Sequence, residues 1–336
     1  MTTMRGGIDL GGTQIQAVVV DEHSTVAGEA REATPTEGTK SDVICAMAET
    51  VRAAAEAAGV ETSSLAGVGV GAPGATDFEA GTLGHASNLP GGWEEPYPLA
   101  AELSGLIGSP VALGNDVGVA VDAEFHLGAG RPYRSLLGVW WGTGVGSGLI
   151  LNGERWLGRG AAGEFGHTIV RLGGAREVGA MNLPGTVEAY AGRAAMEAKA
   201  RHAVEKEHEK TKLFHIMEQK GRTRLSSGVW ASALEKQDEL AIRLIDRAVK
   251  VLGAGIASVV NLLDLEAIVI GGGLGTRLGQ PYADRIAGEM RPHLLRPEEA
   301  PPVHSAALGD LGGAIGAALL AKKMSHVAQV SPAGAL

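Results

Sequence analysis

The chain has 336 residues and a formal net charge of −9, which is room for two cored domains and an acidity that argues against nucleic acid or an anionic membrane as partner. Its single cysteine, Cys45, excludes an intramolecular disulfide and fits a reducing compartment. The 51 glycines exceed what a helical bundle uses and follow no collagen period; no apolar run reaches the ~18 residues of a membrane span and no leader peptide is visible, so the expectation is a cytoplasmic α/β enzyme.

Residues 7–10, 15–20 and 25–32 read as strands, the β-branched Val18, Val19 and Val20 marking burial. A helix is expected over 41–58, capped by Ser41 or Asp42 and stopped by Gly59. A buried strand over 65–71 runs into Ala72-Pro73-Gly74. Residues 84–92 read as a loop that leads into Trp93, and a short strand over 111–113 ends at Asn115-Asp116, where a helix begins. The second half repeats the plan, with strands over 135–141 and 147–151, helices over 186–201 and 238–263, and a strand over 267–270 ending in Gly271-Gly272-Gly273. A strand over 302–306 and an Ala/Gly-rich helix over 310–323 follow, and the tail from Ser325 is expected to be disordered. Between 201 and 236 the texture changes: 201–212 is dense in charge of both signs, which reads as an exposed helix or an insertion over the larger domain, with a lid or interface role as the alternative.

Two glycine-rich turns carry the chemistry. Asp9-Leu10-Gly11-Gly12-Thr13 is echoed by Gly142-Thr143-Gly144-Val145-Gly146-Ser147-Gly148, each set between apolar strand-like runs. Backbone N–H groups at glycines approach phosphate oxygens closely because no Cβ intervenes. A matched pair suggests one structural unit used twice with a phosphate chain held between the copies. The plain alternative is two ordinary hairpin turns.

Eight segments in order resemble the ROK family of sugar kinases and sugar-responsive repressors: Ile8-Asp9-Leu10-Gly11-Gly12-Thr13, Gly71-Ala72-Pro73-Gly74, Asn88-Leu89-Pro90-Gly91, Gly114-Asn115-Asp116, Gly142-Thr143-Gly144-Val145-Gly146, Gly163-Glu164-Phe165-Gly166-His167, Gly185-Thr186-Val187-Glu188 and Gly271-Gly272-Gly273-Leu274. The resemblance implies the actin-like ATPase (duplicated ribonuclease H-like) fold, two α/β domains around a cleft, with the C-terminal helix packed back on the first. Residues 1–115 with 309–324 then form the smaller domain and 116–308 the larger, with 325–336 as tail. It also implies an ATP site at Gly11, Gly12, Thr13, Thr143, Gly144, Gly146 and Gly271 to Gly273, with Asp9 orienting Mg²⁺ through water. Asp116 becomes the base for the attacking sugar hydroxyl, and Asn88, Asn115, Asp116, Glu164, His167 and Glu188 read the sugar. The alternatives are that Asp116 caps the helix it begins, that His167 is a buried hydrogen-bonded histidine, and that Glu188 is a first-turn helix residue.

The sequence departs from the family pattern at three places. Many members carry three cysteines that bind structural zinc with the histidine; here Gly179, Met181 and Thr186 stand at those positions, so no structural zinc is expected and packing by Met181, Leu183 and Pro184 is expected to hold the loop. Gln14 stands where many members have lysine. Trp140-Trp141 precede the second turn, as core fillers or as a changed pocket. The expected function is an ATP:hexose 6-phosphotransferase, glucose first, with fructose, mannose, N-acetylhexosamines or polyphosphate as alternatives within the class. No basic run lies near either turn to favour polyphosphate. Outside that class stand a sugar-sensing regulator, disfavoured because no room precedes Asp9 for a helix-turn-helix, and a catalytically dead sensor. Expected partners are a hexose and a nucleotide, no nucleic acid or membrane, and a second copy in a dimer or tetramer.

Overall fold

A computed structural model of the chain describes residues 3–178 and 181–330. Two compact units emerge, the first formed by the chain up to His126 and again from Leu308, the second by Leu127–Ala307. The first opens with β1 (Arg5–Leu10), β2 (Gln14–Val20) and β3 (Val26–Ala33), an antiparallel meander. Helix α1 (Lys40–Ala57) crosses to β4 (Val68–Ala72), the small hairpin β5 (Ala75–Asp77) and β6 (Thr82–Gly84) follows, and α2 (Leu99–Ile107) leads to β7 (Val111–Asn115) and α3 (Asp116–Leu127). Strand order is β3-β2-β1-β4-β7, with β4 parallel to β1 and β7 parallel to β4.

The second unit repeats that order. Strands β8 (Leu136–Trp141), β9 (Val145–Leu151) and β10 (Glu154–Arg155) form the antiparallel meander. Then come α4 (Val187–Ala191), α5 (Arg193–Glu207), α6 (Leu213–Gln219), α7 (Ser227–Glu235), α8 (Glu239–Leu263), β11 (Ala267–Gly271), α9 (Gly272–Leu278), α10 (Gln280–Met290) and β12 (Val303–Ser305). The order β10-β9-β8-β11-β12 matches the first sheet strand for strand, with the same parallel and antiparallel pairings. Finally α11 (Gly312–Val330) returns to the first unit. It lies so close to that sheet that a Cβ on Gly69 would stand 1.7 Å from the Ala317 carbonyl oxygen and one on Gly7 2.0 Å from that of Ala314. The glycines of β1 and β4 and the Ala/Gly sequence of α11 are therefore one packing solution, a backbone-on-backbone contact that larger side chains would pry apart.

Each unit has its own core. Ile8, Ile15, Val19, Ile44, Met47, Leu99 and Leu113 fill the first, and α8 anchors the second with Leu240, Ile245, Leu252 and Ile256 against Val139, Trp141 and Ile268. α8 is held at its start by Asp238, which accepts from the Ala241 N–H at 2.9 Å and from the Thr211 hydroxyl at 3.0 Å.

Several expectations are corrected. The cap of α1 is Thr39, in a reciprocal capping box with Asp42; the Ser41 hydroxyl instead donates to Glu102. The helix expected over 186–201 is two helices, because at Gly192 the chain turns out of helical geometry and restarts. The strand expected from Ser147 starts at Val145. The charged 201–212 stretch is mostly exposed, with α5 running through it to Glu207; it is the part beyond it that is drawn inward, Leu213, Ile216, Leu225, Val229, Trp230 and Ala233 being buried in the second core. The tail expected to be disordered from Ser325 is helical through Val330; residues 331–336 and Gly179 lie outside the described residues. The helices α2, α9 and α10, the β5–β6 hairpin and β10 have no counterpart among the expected elements.

Candidate active site

In the first unit the β1–β2 hairpin closes with Leu10 opposite Ile15. The Gly11 N–H donates to the Gln14 carbonyl at 3.0 Å and the Thr34 hydroxyl to the Gly11 carbonyl at 2.6 Å. Among the described residues the N–H groups of Gly12 and Thr13 have no protein acceptor, so the turn presents two adjacent donors. Asn88 lies over Gly12, its Nδ2 2.9 Å from where a Cβ on that glycine would stand. Its loop is pinned from below: Leu89 and Trp93 are buried, and the Trp93 indole N–H donates to the Pro90 carbonyl at 2.7 Å.

Asn115 and Asp116 stand where β7 becomes α3. The capping task falls to Asn115, whose side-chain oxygen accepts from the Gly118 N–H at 3.0 Å. Asp116 is thus the first helical residue, with Oδ1 accepting from the Val117 N–H at 2.8 Å. Burial raises its pKa, against the lowering effect of the Val117 and its own N–H groups. Asp9, at the end of β1, is pushed up to about 7, first by burial and then by the charge of Asp116. Part of that burial comes from α11, since a Cβ on Gly313 would stand 2.3 Å from an Asp9 carboxylate oxygen. Two carboxylates short of positive charge suit a hydrated Mg²⁺, which takes one or two carboxylates and keeps its waters. Among the described residues no three His, Cys, Asp or Glu side chains gather as an all-protein metal cage.

In the second unit the β8–β9 hairpin closes with Trp141 opposite Val145. The Gly142 N–H donates to the Gly144 carbonyl at 3.0 Å, while the carbonyls of Gly142 and Thr143 accept from the first two N–H groups of α5, Arg193 and Ala194, at 3.1 and 3.0 Å. Thr143 and Gly144 have no protein acceptor for their N–H groups among the described residues. Gly146 is placed inside β9, opposite Trp140, and not in the turn. Gly271 ends β11, and Gly272 takes φ +79 with the β8 backbone 2.8 Å from its missing Cβ, so only glycine fits there. The two tryptophans divide: Trp141 is fully buried, its indole N–H donating to the Ala191 carbonyl at 2.7 Å, whereas Trp140 is half-buried with its ring against Gly271.

The acidic segment is built around Phe165, which enters the core beside Gly255 of α8. The Phe165 N–H donates to the Ser147 hydroxyl at 2.9 Å, and that hydroxyl donates to the Gly163 carbonyl. With Phe165 anchored, Glu164 is left exposed and His167 half-buried, their side chains 4.0 Å apart. Glu188 accepts from the Val145 N–H at 2.7 Å, so one of its oxygens is tied to the second turn. Burial lowers the His167 pKa, but the hydrogen bond and charge of Glu177, then the charges of Glu188 and Glu164, outweigh it and leave the ring above its ordinary value. Glu164, His167 and Glu188 are therefore brought into one field.

Two residues were not found from the sequence. Glu177 is buried, and its Oε1 takes hydrogen bonds from His167 Nδ1 at 2.8 Å and from the Thr186 hydroxyl at 2.6 Å. It thus ties the histidine to Thr186 across the loop. That bridge and backbone bonds such as Gly185 N–H to the Ala175 carbonyl at 2.7 Å hold the loop; Met181 and Pro184 are exposed and Leu183 half-buried, contrary to the expected packing. Arg193 is the other. Its guanidinium donates to the Thr143 hydroxyl at 2.8 Å, although no basic run lies near that turn in the sequence. Its only sequence signal is the Gly192 that breaks the helix before it.

The ROK family model matches residues 5–324. A glucokinase of Thermotoga maritima is 30% identical over 94% of this chain and 96% of its own. An N-acetylgalactosamine kinase, AgaK, of Shewanella sp. is 30% identical over 94% of this chain and 95% of its own. A ROK family glucokinase from Streptomyces griseus, solved in complex with glucose and AMPPNP, superposes with a TM-score of 0.78 at 30% identity, covering 96% of this chain and 100% of that one. The repeated sheet order is that of the actin-like ATPase fold. With the match running nearly end to end, the chain belongs to the ROK family.

Proposed function

We propose that the protein is an ATP-dependent sugar kinase that transfers the γ-phosphoryl group to the 6-hydroxyl of a hexose, with glucose as the first substrate to test. The observation that carries this reading is Asp116, a half-buried carboxylate relieved of helix capping by Asn115, with its pKa raised and a second carboxylate, Asp9, close enough to feel its charge. A raised pKa makes a carboxylate a better acceptor for a hydroxyl proton near neutrality. The sugar oxygen bonds to the γ-phosphorus, the bond to the β–γ bridging oxygen breaks, and the hydroxyl proton passes to Asp116. In a loose transition state that transfer is late, so the main demands are positioning and charge neutralisation.

The remaining residues take roles around that step. Asn88, the amide nitrogen of Asn115, Glu164, His167 and Glu188 hydrogen-bond the sugar hydroxyls. The N–H groups of Gly12, Thr13, Thr143 and Gly144 and the Gly271 to Gly273 turn hold the nucleotide. Gly146, in β9, serves by letting the hairpin close and not by direct contact. Asp9 would hold Mg²⁺ through water, and when bound the ion would neutralise charge on the phosphate oxygens.

Support comes from the glucokinase relatives. N-acetylhexosamines are the second reading, because the AgaK relative matches as well as the glucokinases do. A matrix of donors (ATP, polyphosphate) against glucose, mannose, fructose, N-acetylglucosamine and N-acetylgalactosamine tests both. Phosphorylation of glucose with ATP is expected to give the highest kcat/KM. An N-acetylhexosamine leading by tenfold would replace glucose, and no turnover with any pair would leave a sugar-binding regulator.

A further inference from the structure

The second glycine turn has a cation beside it that no expected role accounts for. Arg193 is the first residue of α5, and its backbone N–H already holds the Gly142 carbonyl. Its guanidinium reaches two hydroxyls, Thr143 at 2.8 Å and Ser227 at 3.5 Å. Ser227 Oγ in turn lies 3.4 Å from where a Cβ on Gly273 would stand, and the Gly273 nitrogen 3.9 Å from that of Gly142. Arg193, Thr143, Ser227 and the two glycine turns therefore form one contiguous cluster inside the second unit.

The cluster lacks an anion. Glu197, one turn along α5, is the nearest candidate, but it is taken by Arg201 at 2.7 Å, Arg224 at 3.1 Å and the Leu225 N–H at 2.9 Å. Among the described residues Arg193 makes no ion pair. A half-buried guanidinium whose partners are neutral hydroxyls is costly unless a ligand supplies the charge. Burial, with the relief given by Glu197 set against the charge of Arg224, lowers its pKa from the ordinary arginine value. A planar fork of N–H donors matches phosphate oxygens better than any other side chain.

We propose that Arg193 binds the phosphoanhydride chain of the phosphoryl donor, with the hydroxyls of Thr143 and Ser227 orienting its guanidinium toward that chain. The proposal rests on the sugar-kinase reading for the identity of the donor, and on the cluster for the site. It gives the donor a positive contact on the second unit in a chain whose first turn is followed by the neutral Gln14. A phosphoanhydride chain comes from a nucleotide or from inorganic polyphosphate, and the test separates them.

Calorimetry with ADP, adenosine and tripolyphosphate on the wild-type protein, Arg193→Met and Arg193→Lys reads the site directly. Methionine keeps the apolar stem and removes the donors. The expected result is an ADP affinity about ten- to hundredfold weaker in the Met variant, the weight of lost charge-assisted bonds, with adenosine affinity unchanged and Lys intermediate. A parallel loss for tripolyphosphate shows that a free chain also seats there; loss with ADP alone restricts the site to nucleotides. Unchanged ADP affinity, equal loss for adenosine, or failure of both variants to fold would overturn the proposal, the last by making Arg193 a structural clamp of the turn. Steady-state assays on the same proteins separate this from the kinase reading. Turnover with an unmoved donor KM in Arg193→Met sinks the proposal alone, whereas Arg193-dependent ADP binding without turnover of any sugar sinks the kinase reading alone.

Discussion

The two glycine hairpins are copies in topology and differ in the charged side chains around them. Both close an antiparallel pair at the centre of a five-stranded sheet, and both leave two consecutive N–H groups without a protein acceptor among the described residues. The second is one residue tighter, pairing Trp141 with Val145 where the first pairs Leu10 with Ile15. Around the first stand Asp9 and Asp116, each with its pKa raised by burial. Around the second stands Arg193, with Glu188 tied to the turn by the Val145 N–H. A duplicated backbone thus supplies the same anion-binding donors twice, and the side chains gathered around each copy decide what it does. On the proposed reading the first copy handles the proton and the metal ion, the second the phosphate chain.

The largest effect that could break this division is at Asp116. Asp116→Asn keeps an oxygen that can accept from the Val117 N–H, so the fold and the start of α3 are expected to survive. The variant loses only the proton acceptor, and kcat is expected to fall by roughly 10²- to 10⁴-fold, with glucose and ADP affinities within about twofold of wild type. Stopped-time assays with calorimetry on the same sample check it. If donor affinity moved instead of kcat, the carboxylate would belong with the phosphate grip and the contrast between the hairpins would collapse.

Asp9 sharpens the contrast through stability. Its pKa is raised from 3.8 to about 7, so between those values the folded protein binds more protons than the unfolded chain and stability falls as pH rises through the window. That span corresponds to at most ~4 kcal/mol. Asp9→Asn, assayed metal-free with chelator, is expected to be more stable than wild type at pH 8 by on the order of 2–4 kcal/mol and to lose most of the decline between pH 4 and 7. Mg²⁺ at pH 8 is expected to raise the wild-type Tm and to leave the variant unmoved. A variant less stable than wild type at pH 8 would show that the first hairpin carries no excess of negative charge.

How far the sequence disclosed this arrangement differs between the copies. Both hairpins were legible because strand periodicity and glycine clusters are local signals. Asp9, Asn115 and Asp116 were legible because each lies next to a strand end in the chain. Arg193 and Glu177 were not, since neither is near in sequence to what it touches. Arg193 reaches Thr143 only because the chain breaks helix at Gly192, and a glycine inside a helical pattern reads equally well as a tolerated interior residue. Glu177 sits in a loop without periodicity, and only the fold brings Thr186 and His167 onto its carboxylate. The buried residues beyond Lys212 were missed for a related reason: they are spread over two short helices and the chain between them, too short for either helix to show a stripe.

The smallest effect expected is at Glu177, and two substitutions there separate its roles. Glu177→Ala removes the acceptor that joins His167 to Thr186, which leaves two donors without their bond in a buried place and is expected to cost about 1–3 kcal/mol. Glu177→Gln keeps a carbonyl oxygen for both bonds and removes only the charge. The sign of the His167 contribution then decides the pH at which the Gln variant differs. In the wild type the ring pKa is raised above 6.5, burial being outweighed by Glu177 and then by Glu188 and Glu164. A raised histidine contributes stability that is fully present below the unfolded pKa and is lost as pH rises through the folded value. Glu177→Gln is therefore expected to match wild type at pH 8 and to fall below it at pH 5.5, by about 1 kcal/mol or less, measured by urea unfolding at the two pH values. Equal stability at both would mean that Glu177 holds His167 by shape alone. A deficit confined to acid would show that its charge, too, holds the histidine in place beside Glu164 and Glu188.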